Sequence, residues 1–232
     1  MTNMQEMLGS MGEGEEGIAT NVDIVFVIDA TRSMQTTIDM VKESALSFQD
    51  KLYDFMDEAK RSINNLRIKV VWFRDFYYDG NYAYDESKFF ELPEEKEEFR
   101  DFVNGIHEAG GGDDPESGLE ALTMAMRSDF VQEGEKKRHI IVLFTDAAAH
   151  PFEDYDELTA EAAKKGCKPT MYPKNMPKNI SEFYNDVASQ GYNISKMKIP
   201  TSFIDKLVDE GKIYLFQLYN KDFSPHSKGT PN

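Results

Sequence analysis

Cysteine is nearly absent from this chain: Cys167 is the single one. An intrachain disulfide framework and a cysteine-based zinc site are thereby excluded. The scarcity suits a reducing compartment, and a cytoplasmic location is expected. Long apolar runs are also lacking. No stretch approaches the roughly 20 apolar residues of a transmembrane helix, so membrane insertion is not expected. The first segment, MTNMQEMLGSMGEGEEGIAT, has neither the basic start nor the apolar middle of a signal peptide. Positive charge is in deficit, with 26 Lys and Arg against 42 Asp and Glu, a formal net charge of −16. Such a chain repels a phosphate backbone, which argues against nucleic acid as a partner. It is compatible with cation binding, basic partners or simply a well-solvated surface. Histidine is scarce as well, with four residues and no pair at metal-ligand spacing.

What is present is a series of buried-strand patterns separated by helical ones. Val22–Ile28 is a near-continuous apolar run, the pattern of a strand covered on both faces of a parallel sheet. Beyond it, Met34, Ile38, Val41, Ala45, Phe48, Leu52 and Phe55 recur at alternating steps of 4 and 3, one stripe of a long helix. Leu66–Phe73 reads as a second strand. An aromatic turn region with Asp79–Gly80 at its tip follows, and then a short antiparallel edge strand at Lys88–Leu92. Pro93 opens an acidic helix with Phe99, Phe102, Val103 and Ile106 on one face. The loop EAGGGDDPES leads into a helix with Leu119, Leu122 and Met126 inward. His139–Asp146 is the third strong strand and Lys212–Tyr219 the last. Between these two, helices are expected near Asp154–Lys165, Ile180–Ser189 and Ser202–Glu210.

Strands alternating with helices predict an α/β fold: a Rossmann-like, doubly wound, mostly parallel sheet with one short antiparallel strand and helices on both faces. The expected organisation is a flexible leader over 1–20, one domain over 21–220 with a helical elaboration at about 147–210, and a flexible tail over 221–232.

In open α/β sheets ligands bind beyond the carboxyl ends of the strands. Two strands here stop at an acid, Asp29 and Asp146. Thr31 and Ser33 follow the first at every second position, and a third loop carries Asp113, Asp114 and Glu116. Carboxylates brought together repel unless a cation sits among them. The donors are all oxygen, which favours Mg²⁺, Mn²⁺ or Ca²⁺ over Zn²⁺ or Cu²⁺. Plainer readings stand beside this one. Asp29, Thr31 and Ser33 have the residue types of a helix N-terminal cap. Asp114 before Pro115 reads as a cap with proline in the first helical position. Glu116 suits a first helical turn wherever it points, and Asp146 suits a strand-end turn. Asp75 is either a supporting acid or the salt-bridge partner of Arg74 or another basic group. His107 and the Gly110–Gly112 run read as structural; the latter lacks the Lys-Ser/Thr signature of a phosphate loop.

The segment DIVFVIDATRSM, with LFTDAAAH on a later strand, resembles the von Willebrand factor type A domain and its metal-ion-dependent adhesion site. The third loop, GGGDDPESGLEA, resembles the Asp-x-Pro-Glu segment of integrin β-subunit and bacterial domains of this type. The resemblance implies that Asp29, Thr31, Ser33, Glu116 and Asp146 hold a Mg²⁺ or Mn²⁺, Glu116 directly or through water. It also implies Asp113 as a ligand of a second ion, with Ca²⁺ the option there. It implies no catalysis but a protein partner whose Asp or Glu completes the coordination, within a multi-protein assembly as in bacterial relatives. Two departures stand out. Arg32 occupies a position where glycine is common, and it is expected, with His150, to meet the partner. The helix and strand that usually follow the Lys212–Tyr219 strand are missing. Two alternatives remain: a Mg²⁺-dependent phosphoryl-transfer enzyme, disfavoured because Thr31 stands where a second Asp is wanted, and a metal-free scaffold of the same fold.

Overall fold

The computed structural model describes residues 20–58, 63–111, 115–134, 136–152, 164, 172–193 and 212–218. Among these residues six strands form one sheet. In chain order they are β1 (Thr20–Asp29), β2 (Ile63–Phe73), β3 (Tyr84–Glu86), β4 (Phe90–Leu92), β5 (Lys136–Thr145) and β6 (Lys212–Leu218). The longer helices among these residues are α1 (Ile38–Glu58), α2 (Lys96–Asn104), α3 (Gly118–Met126) and α4 (Ile180–Ser189). The spatial order is β3-β2-β1-β5-β6, with β4 also paired to β2.

The centre is parallel. β1 pairs with β2 on one side and β5 on the other, both in parallel. Its apolar run divides by parity, as the period-2 geometry of a strand requires. Val22, Ile24, Phe26 and Ile28 pack on one face against Ile38, Val41, Ala45, Phe48 and Leu52 of α1 and Phe99 and Val103 of α2. Val25 and Val27 pack on the other, against Leu119, Leu122 and Met126 of α3 and Phe183 and Val187 of α4. Phe26 meets Phe48 edge to face at 5.5 Å between centroids, a favourable aromatic geometry. Both faces are therefore covered, and the lack of polar alternation in β1 is explained. The doubly wound α/β architecture is as expected.

The edges differ from the expectation of one antiparallel strand. β3, β4 and β6 all run antiparallel to their neighbours. β4 is the expected short strand. β3 arises inside the aromatic region, which also holds a single helical turn at Phe76–Asp79. Apolar patterning encodes burial but not direction, so a strand after a long connection, such as β6, carries no sign of its orientation. The predicted helix at Ile180–Ser189 coincides with α4. Those near Asp154–Lys165 and Ser202–Glu210 lie largely outside the described residues. The helical stripe from Met34 is also as read, except that Arg32–Thr36 forms a 3₁₀ turn before α1 begins. Among the described residues, no helix is long and apolar enough to cross a membrane.

Candidate functional site

Parallel pairing of β1 with β5 matches Ile28 to Phe144, so the next residues, Asp29 and Thr145, emerge side by side at the same end of the sheet. Asp29 is fully buried. Its Oδ1 accepts from the Thr31 backbone N–H at 2.9 Å and from the Thr31 hydroxyl at 2.6 Å. Its Oδ2 accepts from the Thr145 hydroxyl at 2.7 Å. The chain of contacts continues outward: Thr31 Oγ1 lies 3.1 Å from Ser33 Oγ, whose hydroxyl donates to Asp146 Oδ1 at 2.9 Å. Asp29 and Thr31 are thus the inner end, and exposed Ser33 and half-buried Asp146 the outer end. Burial, foremost, pushes the Asp29 carboxyl up from its ordinary 3.8 to about 6; the threonine bonds oppose this and the nearby Asp146 charge adds to it.

The third loop meets the same place. Gly111 has φ of +61°, and a Cβ there would stand 2.9 Å from Glu116 Oε1 and 3.1 Å from Thr31 Cβ. Glycine is therefore required both by the left-handed backbone and by the close approach of these two side chains. Glu116 is buried. Its backbone forms a parallel bridge with Ala149, its N–H donating to Ala148 O at 3.0 Å and its carbonyl accepting from His150 N–H at 2.8 Å. The loop after β5 and the loop before α3 are thereby stitched together. Half-buried His150 is part of that stitch, and Arg32 is exposed beside Ser33. Asp113 and Asp114 lie outside the described residues.

Several plainer readings are corrected. Thr31 precedes the 3₁₀ turn but makes no side-chain cap bond to it; its hydroxyl is committed to Asp29. Pro115 and Glu116 are not in a first helical turn, because α3 begins at Gly118. The bridge to Ala149 holds that segment extended. Arg74 donates to three backbone carbonyls, while fully buried Asp75 faces the Ser117 hydroxyl at 3.5 Å.

Thr145 escaped the sequence reading. It stands directly before Asp146, but only the register of two distant strands reveals that its hydroxyl serves Asp29. We expect Thr145→Val, which keeps the shape and removes the donor, to raise the Asp29 pKa further and weaken Mn²⁺ binding about tenfold, since a hydrogen bond to a charged group is worth about 1.5–3 kcal/mol. Calorimetric Mn²⁺ titrations of the two proteins at pH 7 check this; equal affinities would show that the hydroxyl does not support the carboxylate.

A mixed, mostly parallel sheet wound on both faces, with three loops gathered at one end of its central strands, defines a Rossmann-like α/β domain. The family model described as von Willebrand factor A domain matches residues 87–191, which supports a domain of that type. The matched span holds Glu116 and Asp146; the loop from Asp29 to Ser33 lies upstream and reaches them through the β1–β5 pairing. Among solved structures the chain is similar to the pilus adhesin SpaC from Lactobacillus rhamnosus GG, at 14% identity and a TM-score of 0.42. That likeness covers 61% of this chain and 18% of the adhesin chain, too small a share and too loose a fit to bear on function.

Among the described residues, no group of three or more His, Cys, Asp and Glu side chains is placed to hold a metal ion by itself. The candidate donor set is instead mixed, carboxylate and hydroxyl. Ligand distances of about 2.0–2.1 Å around an octahedral Mg²⁺ place neighbouring oxygens about 3 Å apart. The Thr31–Ser33 and Ser33–Asp146 separations of 3.1 and 2.9 Å are of that size. The residues present fit a hard divalent cation.

Proposed function

We propose that this chain is a divalent-cation-dependent protein-binding module, not an enzyme. Asp29, Thr31, Ser33, Glu116 and Asp146 would hold Mg²⁺, or Mn²⁺ in its place, with one position left for an Asp or Glu of a protein partner. Arg32 and His150 stand where that partner arrives, and Asp113 serves a second ion, Ca²⁺ being the option there. The cation inverts the field of an acidic surface, so an acidic protein can take an acidic side chain.

A proton count carries this reading. Three oxygen–oxygen contacts run from Asp29 through Thr31 and Ser33 to Asp146, and the two hydroxyls bring one proton each. Thr31 gives its proton to Asp29 and Ser33 to Asp146. With both protons given to carboxylates, the 3.1 Å Thr31–Ser33 contact brings two oxygens together at the spacing of neighbouring ligands of a cation. A cation satisfies all of these oxygens at once. Phosphoryl transfer through Asp29 fits poorly, because Thr31 stands where that chemistry wants a second acid.

Magnesium or manganese titration of the whole chain, followed by pull-down with and without EDTA, tests the proposal. Saturable cation binding and EDTA-sensitive capture are expected. A natural partner retained in EDTA, and equally by an Asp29→Ala/Asp146→Ala double variant, would establish the metal-free scaffold instead.

A further inference from the structure

We propose that Arg74 is the positioning residue of this site: a buried guanidinium that sets the separation and orientation of the first and third loops. The inference rests on the proposed cation binding. Arg74 follows the last residue of β2 and is 9% exposed. Its Nε donates to Ala30 O at 3.1 Å, Nη1 to Tyr82 O at 2.9 Å and Nη2 to His107 O at 2.6 Å. Its plane lies over the Trp72 ring at 4.8 Å. The rigid fork of the guanidinium holds three acceptors at once, which a lysine ammonium on a flexible stem does less well.

The acceptors are what matter. Ala30 O belongs to the same peptide unit as Thr31 N–H, the group that donates to Asp29 Oδ1 at 2.9 Å. By fixing that peptide plane, Arg74 aims the N–H and with it the Asp29 carboxylate. Donation to the carbonyl also polarises the peptide and strengthens the bond on its far side. Ala30 O accepts in addition from Ala109 N–H at 3.0 Å, and His107 O sits at the start of the third loop. Arg74 therefore grips both loops.

Asp79, from the same connection after β2, completes the grip. Its Oδ2 accepts from Gly111 N–H at 3.1 Å and from Asp75 N–H at 3.3 Å. Gly110 lies so close that a Cβ there would fall 1.7 Å from Asp79 Oδ1. Gly111 is the residue against which Glu116 and Thr31 pack. The connection after β2 thus supplies none of the proposed ligands, yet it spaces two of the loops that do.

Mn²⁺ affinity of the full chain, measured per folded molecule, is the test. The Asp29→Ala/Asp146→Ala protein sets the level of unspecific binding to the acidic surface. Removing an outer support of a metal ligand commonly lowers affinity about 10–100-fold, and that range is expected for Arg74→Met. Arg74→Lys should recover part of it. A lower Tm with unchanged affinity in Arg74→Met would mean a merely structural arginine and overturn the proposal. Should Arg74→Met fail to fold, Asp79→Ala decides: a loss of about tenfold supports the positioning role, and unchanged affinity overturns it. If the wild-type chain binds Mn²⁺ no better than the double variant, the cation reading fails by itself. The Thr31 amide proton shift in metal-free Arg74→Lys and wild-type protein then decides the positioning role, a shift supporting it and identity overturning it.

Discussion

Asp29→Asn is expected to weaken Mn²⁺ binding at least 100-fold, about 2.7 kcal/mol at the usual 1.4 kcal/mol per decade, while making the metal-free protein more stable at pH 7.5. The two effects have one cause. The Asp29 carboxyl is held at about 6 by burial, against an ordinary 3.8. At neutral pH the ionised form is therefore strained in the folded metal-free protein, by about 3 kcal/mol at 1.36 kcal/mol for each pKa unit. Asparagine has the same shape and no charge to desolvate. Its carbonyl oxygen accepts both Thr31 bonds. Its NH₂ faces Thr145, whose hydroxyl has a second acceptor in Ala147 O at 3.3 Å and can turn to receive the amide. The expected net gain is about 1–3 kcal/mol, the upper limit being the relieved strain. Urea denaturation in EDTA at pH 7.5 measures it beside the Mn²⁺ titration. A variant less stable than wild type, or one that still binds the ion, contradicts the account. Function retained at the expense of stability is a common feature of binding sites.

The wild-type chain should show the complementary pH dependence. The native carboxyl holds its proton to higher pH than the unfolded one, so between about 4 and 6 the folded state binds more protons. The stabilisation contributed by Asp29 is then fully present below the unfolded value of 3.8, falls as pH rises to about 6, and stays flat above. Many other carboxylates titrate in this window. The informative quantity is therefore the stability of wild type minus that of Asp29→Asn, which should decrease by up to about 3 kcal/mol between pH 4 and pH 7 without metal. Mn²⁺ affinity should run the other way, falling about tenfold per pH unit below about 6, because the ion displaces the proton. A difference curve flat from pH 4 to 7 would remove the buried, proton-holding Asp29 from the mechanism.

Much of the candidate site was legible because its residues stand at conspicuous points of local patterns. An apolar run that stops at Asp29 and another that stops just before Asp146 mark two strand ends, and in an α/β sheet those ends converge. Asp29, Thr31 and Ser33 follow one another at every second position where the strand ends, and the turn into the 3₁₀ segment Arg32–Thr36 keeps their oxygens in contact. The α1 stripe was equally clear, since a 3.6-residue period over several turns belongs to a helix alone. Glu116 was singled out by the likeness of its loop to the family segment, and the first helical turn expected for it proved the wrong local setting. Its bridge to Ala149 joins segments far apart in the chain, and such pairing overrides a favourable helix start.

Arg74 and Thr145 were invisible as supports. Arg74 binds backbone carbonyls, which every residue possesses, so the choice of Ala30, Tyr82 and His107 leaves no mark in the sequence. Thr145 serves Asp29 only because β1 and β5 pair in one register, and a slip of one residue would turn its hydroxyl to the opposite face.

The sequence by itself determined the buried central strands, the helices α1 and α4, that the donors of the candidate site are oxygens, and that Asp29 and Asp146 stand at the ends of two central strands. These follow from periodicity and residue type, properties carried by neighbouring residues. Strand direction at the sheet edges, the register that joins Thr145 to Asp29, the stitching of Glu116 to Ala149 and the carbonyl grip of Arg74 were decided by the tertiary structure alone. Each depends on backbone groups from distant segments meeting, and backbone groups are the same in every sequence.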